Sequence, residues 1–145
     1  MKKIIIGIAG LLLFASTGCT KTEKISCTKD TAVQDGMKMT QTMKATFKDN
    51  IVTYLEIGTT LEVEEQLQEY FDAANTSLVE EYAIYQDKTG IEVVNDKKEL
   101  KSYVGVKINL NKVSEEDKKE LNLNYGKQSK ESTKAEFEAE GYTCK

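Results

Sequence analysis

The sequence contains no histidine, no proline, no tryptophan and no arginine, so every basic side chain is a lysine. Without histidine there can be no Ser-His-Asp or Cys-His catalytic machinery, no imidazole metal ligand and no side chain that titrates near neutrality when unperturbed. Hydrolases of those types are excluded. Without arginine the chain lacks the planar fork that grips phosphate or carboxylate through two parallel hydrogen bonds. No C-x-x-C pair and no EF-hand spacing is present, which removes thioredoxin-like redox chemistry and the standard calcium loop. An A- and T-rich genome would produce much of this bias, which reads as mostly mutational.

What remains is acidic. Twenty lysines face 24 aspartates and glutamates, for a formal charge of −4. A chain of that sign is repelled by nucleic acid and by anionic lipid surfaces, so no nucleic-acid partner is expected. Acid–base chemistry would have to come from a carboxylate pair or a depressed lysine. The candidates are Glu56 or Glu92 beside Tyr54 or Tyr103, if folding gathers them on one polar face. Nothing in their spacing demands it, and no cofactor, metal site or catalytic residue is expected.

The N-terminus is a targeting segment rather than part of a fold. Met1-Lys2-Lys3 is followed by a twelve-residue apolar run, Ile4 to Ala15, and then by the small residues Ser16-Thr17-Gly18 before Cys19. That is the layout of a secretory signal. As a helix the run would span roughly 18 Å, short of the about 30 Å hydrocarbon core, so a permanent membrane span is the poorer alternative. Ser16-Thr17-Gly18-Cys19 resembles the lipobox of bacterial lipoproteins, although Ser16 stands where leucine is usual. The resemblance implies cleavage before Cys19 and a lipidated cysteine, with two or more acyl chains giving stable anchoring. An ordinary secreted cysteine is the alternative. The expected organisation is therefore a signal peptide over 1–18, a lipid anchor and short tether over 19–24, and a single domain over 25–145. The mature chain would carry 18 lysines against 24 acids.

With Cys19 assigned to lipid, Cys27 and Cys144 remain. An exported chain meets an oxidising compartment, so the two are expected to pair and staple the ends of the domain together; two free thiols are the alternative.

Hydrophobic periodicity gives the architecture. Ile25 to Val33 reads as a first strand, and Gln34-Asp35-Gly36 as a turn. Met39, Met43, Ala45 and Phe47 then alternate with Lys38, Thr40, Thr42, Lys44, Thr46 and Lys48, the period of a half-buried strand. Asp49-Asn50 reverses the chain into a third strand, Ile51 to Ile57. Thr59 and Glu62 read as a capping box opening a long helix, whose stripe is Val63, Leu67, Tyr70, Phe71, Ala74, Leu78, Tyr82 and Tyr85. The sequon Asn75-Thr76-Ser77 falls inside it and is read as chance. A hairpin follows, Gly90 to Asn95 and Leu100 to Leu110, with Asp96-Lys97-Lys98 as its turn. Short helices are expected over Ser114–Leu121 and from a second capping box, Thr133 and Glu136, to Glu140, stopped by Gly141. Tyr142 and Cys144 lead back toward the first strand. The fold class is α+β, on an antiparallel sheet of about five strands.

Several of these features occur together in one group of proteins. The anchor cysteine, Ile25-Ser26-Cys27-Thr28-Lys29, Thr46-Phe47-Lys48-Asp49, the aromatic helix and the ending Glu140-Gly141-Tyr142-Thr143-Cys144-Lys145 resemble the small YehR-like lipoproteins of bacteria. That resemblance supports the architecture and the disulfide, and it transfers no active site. The expected role is a non-enzymatic binding or structural module on the outer face of the cell membrane, with an envelope or surface protein as partner. The alternative is a binding protein for a small cation or basic ligand, using Glu62, Glu64, Glu65 and Glu69, or Glu115, Glu116 and Asp117.

The anchor is directly testable. Cys19→Ala is expected to abolish incorporation of labelled fatty acid and to leave the chain uncleaved or soluble; labelling that survives the substitution would refute the lipobox.

Overall fold

A computed structural model describes residues 20–125 and 128–145. The signal segment and Cys19 lie outside the described residues. Six strands form one antiparallel sheet: β1 (Thr22–Gln34), β2 (Met37–Lys48), β3 (Ile51–Val63), β4 (Ile91–Lys98), β5 (Lys101–Asn109) and β6 (Thr143–Cys144), in the spatial order β4-β5-β3-β2-β1-β6. Three α-helices accompany them: α1 (Gln68–Glu81), α2 (Glu115–Glu120) and α3 (Lys130–Ala139). The α+β class and the one long helix are as expected, with a sixth strand supplied by the returning C-terminus. No helix among the described residues is long and apolar enough to cross a membrane.

The first three strands form the expected meander, closed by two-residue turns. At Asp49 and Asn50 both φ angles are positive (51° and 60°), as in the mirror-image turn whose twist matches the flanking strands. Asp and Asn enter that left-handed region more readily than other residues with a Cβ. Gly36, at φ 81°, closes β1 onto β2. Alternation in β2 works as read: Ala45 and Phe47 are almost fully buried and Met39 and Met43 partly so, while Lys38, Lys44 and Lys48 are exposed. β1 begins at Thr22, so Thr22–Lys24 belong to the sheet and the expected tether is shorter than 19–24.

β3 runs six residues beyond its expected end, and this corrects the helix start. Thr59 and Glu62 do not cap a helix. Thr59, Leu61 and Val63 alternate inward in the strand, paired on one side with β2 and on the other with β5. A T-x-x-E sequence fits a strand equally well when every second residue can be buried, and two neighbouring strands bury these. A 3-10 turn, Glu65–Leu67, then leads into α1, which has no side-chain cap at Leu67. From the expected stripe Phe71, Leu78 and Tyr82 are buried, Val63 lies in the strand, and Tyr70 is 53% exposed. Asn75 of the sequon is buried, in no position to carry a glycan.

Two further boundaries move. Asp96-Lys97-Lys98 continue β4, and the hairpin turns instead at Glu99-Leu100, where Glu99 takes φ 45°. α3 starts a turn early: Ser129 is its N-cap, accepting from the Ser132 N–H at 3.1 Å, whereas Thr133 is fully buried and back-bonded to the Ser129 carbonyl. The cap at Ser114 holds as read, with the Asp117 N–H donating to its hydroxyl at 3.0 Å. Gly141, at φ 91°, ends α3 as expected.

One face of the sheet carries the core. α1 lies over β3 and β5, and α3 over β1 and β6. Phe71, Leu78 and Phe137 share one buried cluster with Leu55, Leu61, Val104, Val106 and Ile108. β6 closes the edge beside β1. Ser26 and Lys145 exchange both backbone hydrogen bonds, at 3.2 and 2.9 Å, which places Cys27 opposite Cys144 at the closer, non-hydrogen-bonded position. The two are joined in a disulfide with their Cα atoms 4.0 Å apart and a sequence separation of 117.

In the chain-entropy picture a loop of that span contributes roughly 5 kcal/mol of stability. In a Cys19→Ser background, alkylation should add nothing to the intact mass until reduction, and then two groups. Replacing both cysteines by alanine should lower the unfolding free energy from urea titration by an amount approaching that contribution, with a lower midpoint; an unchanged midpoint would mean the closure is not stabilising.

Candidate functional site

The sheet's second face lies opposite α1 and α3. Lys24, Ser26, Thr28, Lys44, Thr46, Tyr54, Glu56, Glu92, Tyr103 and Lys107 sit on it, all exposed or half-buried. Three of the four sequence-level candidates converge there. The Tyr103 hydroxyl donates to Glu56 Oε1 at 3.2 Å, and the Lys44 ammonium donates to the same oxygen at 2.9 Å. Tyr54 lies near both Glu56 and Glu92, whose charges, after burial, push its ionisation above the ordinary phenol range. Glu92 is exposed and pairs across the hairpin with Lys107.

A backbone irregularity assembles this group. From the Asp49-Asn50 turn Phe47 pairs with Val52, but Thr46 pairs with Tyr54, so Thr53 is an extra residue in β3. The extra residue is a β-bulge. Without it Lys44 would face Leu55; with it Lys44 faces Glu56. Sequence reasoning missed Lys44 because nothing in the local pattern marks the bulge.

Two glycines make room for the tyrosine. Gly58 and Gly105 are direct partners on β3 and β5. A Cβ on Gly58 would lie 2.4 Å from the Tyr103 hydroxyl oxygen. A Cβ on Gly105 would lie 2.5 Å from the Ile57 carbonyl oxygen and 2.7 Å from the Gly58 Cα. The ring thus rests on bare backbone, the arrangement by which an aromatic side chain covers strand glycines. Burial, and then the Glu56 carboxylate, hold the Tyr103 phenol well above its usual pKa. Tyr103 and Lys44 both donate to Glu56, and the group forms a latch across three strands.

The acidic runs do not converge either. Glu62 is in β3 and paired with Lys101. Lys88 bridges Asp117 at 2.7 Å and Glu120 at 2.9 Å, and Lys118 pairs with Glu115 at 2.6 Å. These contacts hold the Lys88 ammonium above its usual pKa and the Asp117 carboxyl below. Among the described residues no three acidic or cysteine side chains are placed to hold a metal ion. Cys19 falls outside the described residues, and Cys27 and Cys144 are consumed in their mutual bond.

No family model matches the chain, and no curated protein does. Solved structures do match. An NMR structure of a protein from Streptococcus pneumoniae TIGR4 superposes with a TM-score of 0.53 at 15% identity, covering 100% of this chain and 98% of that one. An NMR structure of the Escherichia coli YehR protein superposes with a TM-score of 0.57, also at 15% identity, over 87% of this chain and 92% of that one. The chain has the fold of YehR. At this identity the likeness concerns the YehR-like fold alone, and it brings no residue role with it.

The glycine pair yields an ordered set of outcomes in chemical denaturation. Gly58→Ala should destabilise by about 1–3 kcal/mol, the usual range for overpacking, and Tyr103→Ala in the same chain should recover much of that loss. Gly105→Ala should cost more and should not be rescued, because its obstacle is backbone. Equal costs with equal rescue would show that the ring does not lie where the geometry puts it.

Proposed function

We propose that the chain is an extracytoplasmic lipoprotein, cut before Cys19 and anchored by lipid there, whose domain is a non-enzymatic module binding an envelope or surface protein through the helix-free face of its sheet. The observation that carries this reading is the character of that face. It is an exposed field of lysine, threonine and tyrosine side chains in which the central carboxylate, Glu56, is already engaged by Lys44 and Tyr103. Tyrosine is enriched at protein contact surfaces, and Tyr54 and Tyr103 stand within this field. A shallow depression of about 390 Å³ lined by Lys24, Lys44, Tyr54 and Glu56 gives a partner side chain a place to seat. The twelve-residue apolar run and its terminal cysteine support the address.

A small-cation protein built on the acidic runs is weakened by their lysine partners. Acid–base catalysis at Glu56 is weakened by the engagement of its carboxylate with Lys44 and Tyr103.

Photo-crosslinking in cells producing the whole chain tests the reading. A crosslinker at Tyr54 or Lys107 should give a discrete heavier adduct in the membrane fraction, and one at Glu80, on the helix side, should not. Adducts from Glu80 alone, or from neither face, would remove the sheet face as the partner surface.

A further inference from the structure

The opposite side of the molecule holds a second concavity, between the end of α1 and the C-terminal segment. It is a cleft of about 270 Å³, floored by the sheet and walled by Tyr82, Tyr85 and Tyr142, with Ile84 and Glu81 at its mouth and Gln41 among its lining. Tyr82 and Tyr85 lie 6.2 Å apart between ring centroids, inclined by 34°, so their faces open at an angle rather than closing on each other. Tyr82 is fixed by the hydrogen bond it shares with the buried Thr59 hydroxyl at 3.3 Å, and Tyr142 by donating to Gln41 Oε1 at 3.2 Å. The Tyr82 and Tyr142 hydroxyls are thus engaged by protein, and all three tyrosines line the cleft.

Charge selects the occupant. The chain has 20 lysines, yet among the described residues lining this cleft none is a lysine, and Glu81 is the sole charged group. The π-face of an aromatic ring carries negative potential, and rings flanked by one carboxylate attract a cation whose shell is apolar. Tyr142 displays that property already: the Lys29 ammonium, held by the Glu140 carbonyl, stands 5.6 Å from its ring centroid. A hydrated metal ion or a bare ammonium would find too few oxygens to replace its water, whereas a methylated ammonium keeps its charge and needs none.

We propose that this cleft is an aromatic cage for a small quaternary ammonium group, seated against Tyr82, Tyr85 and Tyr142 with Glu81 as its counter-charge. The site is separate from the sheet face, and the two readings fail independently. The group could come from a free compound such as choline or from the headgroup of a choline lipid; the chemistry recognised is the same.

Because the chain has seven tyrosines and no tryptophan, tyrosine emission and ring-proton shifts report directly on the walls. Titration of the whole chain with choline or tetramethylammonium, to about 50 mM, should shift them saturably. The neutral isostere 3,3-dimethylbutan-1-ol should bind at least about tenfold more weakly. Tyr85→Leu should abolish binding, Tyr85→Phe should preserve it, and Glu81→Gln should weaken it about fivefold or more. Phosphatidylcholine vesicles that retain the chain, and release it to free choline, would assign the same cage to a lipid headgroup. Equal binding of the neutral isostere, or no saturable shift with either ammonium, would overturn the proposal.

Discussion

β3 is the strand on which both hairpins depend. It pairs with β2 along one edge and with β5 along the other, so it is the strand of the N-terminal meander that joins the β4–β5 hairpin to the sheet. The β5 pairing closes a long intervening stretch that contains the whole of α1, so its entropic cost must be met by what it buries. Leu55, Leu61, Val104, Val106 and Ile108 become inaccessible only when β3 and β5 lie side by side beneath α1. The glycine pair at 58 and 105 sits at the middle of that seam, and the Thr53 bulge sets the register at its start. Both irregularities re-aim side chains on the face away from the helices, while the core face buries mostly apolar residues together with Thr59 and Ser102.

How much of this could be read in the sequence depended on whether neighbours or distant strands decided the outcome. β2 was legible from end to end, because its lysines and threonines alternate with apolar residues in a strand covered on one side only. The turn at Asp49-Asn50 and the stops at Gly36 and Gly141 were legible because few residues enter the left-handed region. The end of β3 was not. Thr59 and Glu62 satisfy a helix-capping pattern, and only the distant β5 makes them a strand. Thr133 gives way to Ser129 for a similar reason: both are cap-competent, and burial of Thr133 against the core leaves Ser129 to start α3. The bulge at Thr53 leaves no local trace at all, so Lys44 could not be foreseen as the partner of Glu56. The aromatic stripe of α1 reads as core packing; Tyr82 is core, but Tyr85 keeps surface, and with Tyr142 from beyond the stripe it lines a cleft formed where the C-terminus returns beside α1.

That return ties two parts of the molecule together. Tyr142 stands two residues before the disulfide, and its hydroxyl reaches Gln41 on β2. The bond that closes the ends therefore also helps to fix one wall of the cleft.

The early start of β1 bears on how such a domain would stand in the envelope. Lys21 is already stitched to the β2–β3 turn, its N–H donating to Asp49 Oδ1 and its carbonyl accepting from the Asp49 N–H, each at 3.2 Å. On the lipidated form proposed above, Thr20 is then the whole leash, and a chain that short reaches only about 7 Å from the lipid-bearing residue. Such a domain could not roam above the bilayer. It would stand upright like a post, the Asp49-Asn50 turn at its foot and the Gly36 turn roughly 40 Å higher by strand rise alone, with the sheet face and the tyrosine cleft directed sideways. Its neighbours would be met laterally, within the layer of envelope immediately above the same membrane leaflet.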